Sequence, residues 1–280
     1  MPRRAAPHPI FTGSPLLVAH RGGSGLMPEN TLAAFLDADA RWRADMIELD
    51  VHATADDHCV VIHDPTVDRT TNGSGVVAAM TLAEIQSLDA GYHFTPDGGR
   101  TFPLRGEGLR VPTIEEVFAA LPSMRLTVEV KSAAAQTPLF RAIAQYQATQ
   151  RVIAAGEHDA HRTLFGAYRG PISASRQQCM PFYVMHRLRL AVLAKVRADV
   201  VQMPEFHRGR RVLTQRLVQD LHTGGVLVQV WTVNDPTDMD RLLDWGVDGI
   251  LTDYPDRLSL VLHERVGRPL PPALQTADKE

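Results

Sequence analysis

Short runs of Val, Ile and Leu alternate with longer amphipathic stretches along nearly all 280 residues, and no other feature limits the fold as much. Strands are predicted over 16–20, 46–53, 59–63, 126–131, 152–157, 172–175, 200–204, 227–233 and 249–253, each short and bounded by turn or capping residues. Helices are predicted between them, over 31–44, 114–121, 138–150, 159–168, 181–197, 214–222, 236–245 and 257–264. Asn30 can cap the first of these, and Thr113 with Glu116 forms a capping-box pattern before the second. If 59–63 is a hairpin extension of the second strand, eight strands remain, each followed by a helix. Repeated βα units build a parallel sheet, and eight of them close into a (β/α)8 barrel, the TIM-barrel fold. A doubly wound open sheet is the runner-up, but Gly22-Gly23-Ser24-Gly25 lacks the spacing of a dinucleotide-binding turn.

The barrel is expected to span 14–266, with 1–13 and 267–280 as flexible termini. Residues 66–111 read as an insertion after the second strand, holding a short helix over 81–88. Its second half, 90–111, is rich in Gly, Pro and charge, and is a candidate lid or specificity element. A composition of 44% hydrophobic residues excludes a disordered chain, and no window is long and apolar enough to span a bilayer. The net charge of −3 lacks the basic excess of a nucleic-acid binder. Cys59 and Cys179 form neither a disulfide framework nor a metal-ligand spacing. The first fifteen residues contain no apolar signal-peptide region, so the expected compartment is the cytoplasm.

Polar residues that interrupt the apolar strands carry the chemistry. Alternation along 46–52 puts Glu48 and Asp50 on one side and Ile47, Leu49 and Val51 on the other. The same alternation pairs Glu129 with Lys131, while His20 and His63 end their own strands. All lie at the C-terminal ends of strands, where barrel enzymes build their sites. Three converging carboxylates offer oxygen ligands only, which suits one hard divalent cation, Mg²⁺ or Ca²⁺ with Mn²⁺ as a further candidate, better than zinc. Two imidazoles beside such an ion can donate and accept protons, and Arg21 and Lys131 supply the positive charge a phosphorus oxyanion requires. Together they suggest phosphodiester chemistry. Trp231, which shares a face with Gln229, Gln202 at the end of its strand, and Glu29 are candidate substrate contacts, and Asn30 beside Glu29 is open to site contact as well as to helix capping. Segment 181–190 mixes apolar residues with Arg; it reads as a barrel helix, with contact to a lipid chain or membrane surface as the alternative.

The ordered set His20-Arg21-Gly22-Gly23, Pro28-Glu29-Asn30-Thr31, Glu48-Leu49-Asp50-Val51, His63-Asp64, Asp68-Arg69-Thr70-Thr71 resembles the glycerophosphodiester phosphodiesterase family. Glu129-Val130-Lys131, Trp231-Thr232-Val233-Asn234 and the stretch 246–255 continue the match, which covers about residues 16 to 257. The resemblance implies a barrel with metal ligands Glu48, Asp50 and Glu129, an acid and a base in His20 and His63, and a phosphate held by Arg21 and Lys131. It further implies hydrolysis of glycerophosphodiesters to glycerol 3-phosphate and an alcohol, through attack by a glycerol hydroxyl and a cyclic phosphate. Lysophospholipase D-type hydrolysis of lysophospholipids is a second reading, and non-catalytic phosphodiester binding a third. The partner is then a small-molecule diester, with peripheral lipid contact as a further option. Where many members carry Ser-Phe after the fourth barrel strand, this chain has Glu157-His158, so Glu157 is a further candidate near the cation.

Overall fold

The computed structural model describes residues 7–275. Strands β1 (Leu16–His20), β2 (Met46–Ala53), β4 (Arg125–Val130), β5 (Val152–Ala155), β6 (Val200–Pro204), β9 (Leu227–Trp231) and β10 (Gly249–Thr252) form a parallel sheet in the order β5-β4-β2-β1-β10-β9-β6. Two parallel bridges, Ala154 with Ile172 and Ser173 with Val200, join its two ends and close the eight-stave TIM barrel. The predicted strand over 172–175 is thus reduced to two bridged residues. Strand β3 (Cys59–Val61) pairs antiparallel with β2, as the hairpin reading expects. A second hairpin, β7 (Phe206–His207) with β8 (Arg210–Arg211), rises from the end of β6 and has no counterpart in the predicted elements.

Helices α1 (Leu32–Ala40), α3 (Ile114–Ala120), α4 (Gln136–Gln145), α5 (Arg176–Arg187), α6 (Gln215–Gly224), α7 (Pro236–Asp244) and α8 (Pro255–Val266) surround the barrel, with the short α2 (Leu82–Gln86) in the insertion and α9 (Pro272–Gln275) after it. Leu17, Ala19, Ile47, Leu49 and Val51 point outward into the core they share with these helices. Leu16, Val18, Met46, Ile153, Val200 and Leu251 point inward and fill the lower barrel.

Several expectations are corrected. The predicted helix over 159–168 is two 3-10 turns, Asp159–His161 and Phe165–Ala167. Tertiary bonds override helix propensity there: Asp159 Oδ1 accepts from Ser175 Oγ at 2.5 Å, and the Tyr168 hydroxyl donates to the Thr149 and Val152 carbonyls. Helix α5 begins before Pro181, because Ser175 and Gln178 form a capping box, and it stops at Arg187 rather than 197. Thr31, not Asn30, caps α1, its hydroxyl accepting from the Ala34 amide. The end segments are packed rather than free in their described parts: Ile10 and Phe11 plug the barrel floor, and Arg268 pairs with Asp45 at 2.5 Å. Residues 1–6 and 276–280 lie outside the described residues. The insertion packs on Val60 and Ile62 through Val67, Val77, Ile85, Ala90 and Val111. Among the described residues no helix is long and apolar enough to cross a membrane.

Candidate active site

Strand register builds the site layer by layer. His20 pairs with Glu48, Glu48 with Thr127, and Asp50 with Glu129, so three neighbouring staves raise these groups to the same end of the barrel. One oxygen each from Glu48, Asp50 and Glu129 lies within 4.8 Å of the others, the oxygen-only cluster a divalent cation requires. Beneath it, the Gln202 side-chain amide donates to Gln229 Oε1 at 2.8 Å and to Thr127 Oγ1 at 3.2 Å.

The electrostatics of the cluster fit a cation. Burial first, and then the Asp50 carboxylate, push the Glu48 carboxyl up to about 7. Asp50 is held below its ordinary value: burial opposes this, but the charges of Lys131 and Arg21 outweigh it. Lys131 Nζ sits 3.0 Å from Asp50 Oδ1 and 2.9 Å from Glu129 Oε2, compensating those two and leaving Glu48 the one in most need of positive charge. Burial opposes protonation of Lys131, yet Asp50 and Glu129 raise its pKa. The Arg21 amide donates to Glu48 Oε2 at 3.1 Å, and its guanidinium lies 3.3 Å from Asp50 and 2.9 Å from Glu29. The contact with Asp50 is made by the buried Arg21 Nε and is an ion pair without hydrogen-bond geometry, so charge rather than a directed bond holds the guanidinium at the edge of the acidic cluster.

Each histidine is oriented through Nδ1. His20 Nδ1 is 2.7 Å from Asp253 Oδ1, and His63 Nδ1 is 2.6 Å from Asp64 Oδ1. This leaves Nε2 of both rings for the cavity, and His20 Nε2 is 3.8 Å from Glu48. Burial lowers the His20 pKa, but the Asp253 hydrogen bond and the Glu48 charge lift it above its ordinary value. Asp253 falls to about 2: burial opposes this, and His20, Ser24 and Asn234 hold its anion. Asp64 also falls to about 2, chiefly through its hydrogen bond from Arg69. Asp253→Asn is expected to move the His20 ionisation below its wild-type position and to lower turnover about a hundredfold. A histidine NMR titration and a pH–rate profile check this; an unmoved limb overturns the role of Asp253.

Sequence reasoning missed these two orienting aspartates, although both stand in quoted motifs. The signal for Asp64 was its adjacency to His63. Of the two readings open for Asn30, the structure shows the site contact: its side-chain amide donates to Asp50 Oδ2 at 3.1 Å. Glu29 does not line the cavity, and its carboxylate instead accepts from Arg21 and from Arg69 at 2.7 and 2.8 Å, bracing Arg21 from behind. Trp231, 40% exposed, and Gln202 do line it. Glu157 is on the wall but outside the carboxylate cluster, 3.8 Å from Arg176. No residue of 66–111 lines the cavity, so segment 90–111 is not placed as its lid or specificity element; helix α5 and the β7–β8 hairpin form the outer wall of a space of about 1040 Å³.

The chain is similar to known proteins in both sequence and fold. The chain is 38% identical over 254 residues to a glycerophosphodiester phosphodiesterase of Caldanaerobacter subterraneus subsp. tengcongensis, covering 87% of this chain and 96% of that one. It is 25% identical to a Homo sapiens lysophospholipase D, over 88% of this chain and 85% of the other. It shares the fold of an Oleispira antarctica phosphodiesterase solved with the product sn-glycerol-3-phosphate, with a TM-score of 0.72 at 23% identity, covering 90% of this chain and 98% of that one. With the glycerophosphoryl diester phosphodiesterase family profile matching residues 20–257, the chain belongs to that family.

Proposed function

We propose that this protein hydrolyses glycerophosphodiesters to glycerol 3-phosphate and the free alcohol. The observation that carries the reading is the pair of imidazoles, each tied by a carboxylate at Nδ1, in the same cavity as a three-carboxylate cluster. Glu48, Asp50 and Glu129 would hold one divalent cation, Mg²⁺, Ca²⁺ or Mn²⁺, which when bound supplies Lewis-acid polarisation of a phosphoryl oxygen. Arg21 and Lys131 bind and orient the phosphate, and Trp231 borders the substrate. One imidazole takes the proton from the neighbouring glycerol hydroxyl as that oxygen attacks phosphorus. The other gives a proton to the departing alcohol, and a cyclic phosphate remains. Water then opens the ring with the two proton roles reversed. A protein nucleophile is not needed, and the wall thiol of Cys179 is unsuited to one, since burial pushes it up to about 11.

The size of the cavity and its outer wall, with Met180, Tyr183 and Met203, favour a second reading in which the substrate keeps an acyl chain. Metal-stripped protein given Mg²⁺, Ca²⁺ or Mn²⁺ separately is expected to release head group from glycerophosphocholine. Release from lysophosphatidylcholine alone would favour the second reading, and release from neither would overturn both.

A further inference from the structure

Helix α5 leaves one face without a partner. Met180, Val184 and Leu188 recur every four residues and so form one stripe, and they are 49, 51 and 63% exposed. The chain then folds back on the helix end, the Leu190 amide donating to the Met185 carbonyl, and presents Val192 and Leu193 at 82 and 71% exposure. The opposite face is anchored: Phe182 is buried, and buried His186 lies 2.6 Å from Asp220. The exposed aliphatic side chains are therefore displayed by a fixed element.

Charge around this ridge has one sign. Residues 160–198 contain no Asp or Glu, although the whole chain is net −3. Exposed Arg187, Arg189, Lys195 and Arg197 flank the aliphatic residues, and Arg208 and Arg210 of the β7–β8 hairpin stand on the facing rim of the cavity. Among the described residues none of these six has a carboxylate partner. Met180 and Arg187 belong both to the ridge and to the cavity wall, so the ridge borders the mouth of the site.

We propose that this basic, aliphatic ridge docks the protein on an anionic lipid bilayer, with the cavity mouth at the membrane surface. Aliphatic groups that are costly in water are buried at the headgroup–acyl boundary, and the surrounding Arg and Lys are drawn to anionic lipid. A second copy of the chain fits less well, because a two-fold contact through the ridge would set like charges against each other. The bilayer contact stands apart from the catalytic reading; only what it delivers, a phosphodiester still carrying an acyl chain, rests on that reading.

The test is co-sedimentation of the full chain with phosphatidylcholine vesicles, with and without about one third phosphatidylglycerol. Binding is expected on the anionic vesicles and is expected to weaken with salt. Val192→Ser/Leu193→Ser and Arg189→Gln/Lys195→Gln should each reduce it about tenfold or more. Head-group release from glycerophosphocholine should stay within about twofold, since these side chains lie outside the catalytic cluster. Wild-type protein that ignores anionic vesicles, or variants that bind like wild type, would overturn the proposal. So would a concentration-dependent dimer, seen by light scattering, that Val192→Ser/Leu193→Ser dissolves. If vesicle binding follows the expected pattern while wild type turns over no glycerophosphodiester, the docking surface stands and the catalytic reading falls.

Discussion

His20→Ala and His63→Ala are each expected to lower kcat on glycerophosphocholine about a thousandfold while leaving the fold intact. Each ring has one nitrogen committed to a carboxylate, at 2.7 Å for His20 and 2.6 Å for His63, so each presents its other nitrogen in a fixed direction. Removing either ring removes a proton donor or acceptor from the same step, so the double variant should be little worse than the singles. Stability should survive for separate reasons. The Asp253 carboxylate, deprived of His20, keeps its hydrogen bonds from Ser24 at 2.5 Å and Asn234 at 2.7 Å. His63 is about one-third exposed, and Asp64 keeps its bond from Arg69 at 2.6 Å. Single-turnover kinetics beside thermal unfolding make the comparison; a variant that keeps more than about a tenth of wild-type kcat would remove that histidine from the proton-transfer step.

The convergence of the carboxylates was legible because period-two alternation is a local rule. Reading 46–52 suffices to put Glu48 and Asp50 on one face, and parallel neighbours raise Glu129 beside them. Partners that depend on closure of the barrel were not legible. Asp253 reaches His20 across 233 residues, and only the pairing of β10 with β1 brings them together. Asn30 sits at φ 57°, which turns its amide from the helix it precedes toward Asp50, a change of direction no propensity records. The same holds for Ile10 and Phe11: an apolar pair before the first strand looks like a tail until a barrel exists with a floor to plug. The misplaced start of α5 had a local cause. The predicted helix starts at Pro181, a residue suited to a first turn, while the Ser175–Gln178 capping box, a stronger start signal, lies six residues earlier.

Chelation of the divalent cation is expected to abolish turnover, and Glu48→Gln to reproduce most of that loss through weakened metal affinity. Glu48 is the informative member of the proposed ligand set because Lys131 contacts Asp50 and Glu129 directly, at 3.0 and 2.9 Å, whereas Glu48 is buried with its carboxyl pushed up to about 7. A cation needs that carboxyl ionised, so titrating metal into the stripped protein near pH 6.5 should release protons, and Glu48→Gln should release fewer. The sign of the stability effect follows from the same shift. A carboxyl whose folded pKa lies above its unfolded value of 4.5 imposes no penalty at lower pH. Stability then falls as pH climbs from 4.5 toward about 7, where the folded group also ionises. Stripped wild type should therefore lose thermal stability across that window relative to stripped Glu48→Gln, and restoring the cation should narrow the difference. Parallel pH–Tm curves for the two stripped proteins would mean that Glu48 is not the strained carboxylate, and unchanged metal titration in Glu48→Gln would remove it from the ligand set. Glu129→Gln provides the contrast: Glu129 is partly exposed and already paired with Lys131, so its loss should weaken the ion while leaving the stripped protein's pH–Tm curve close to wild type.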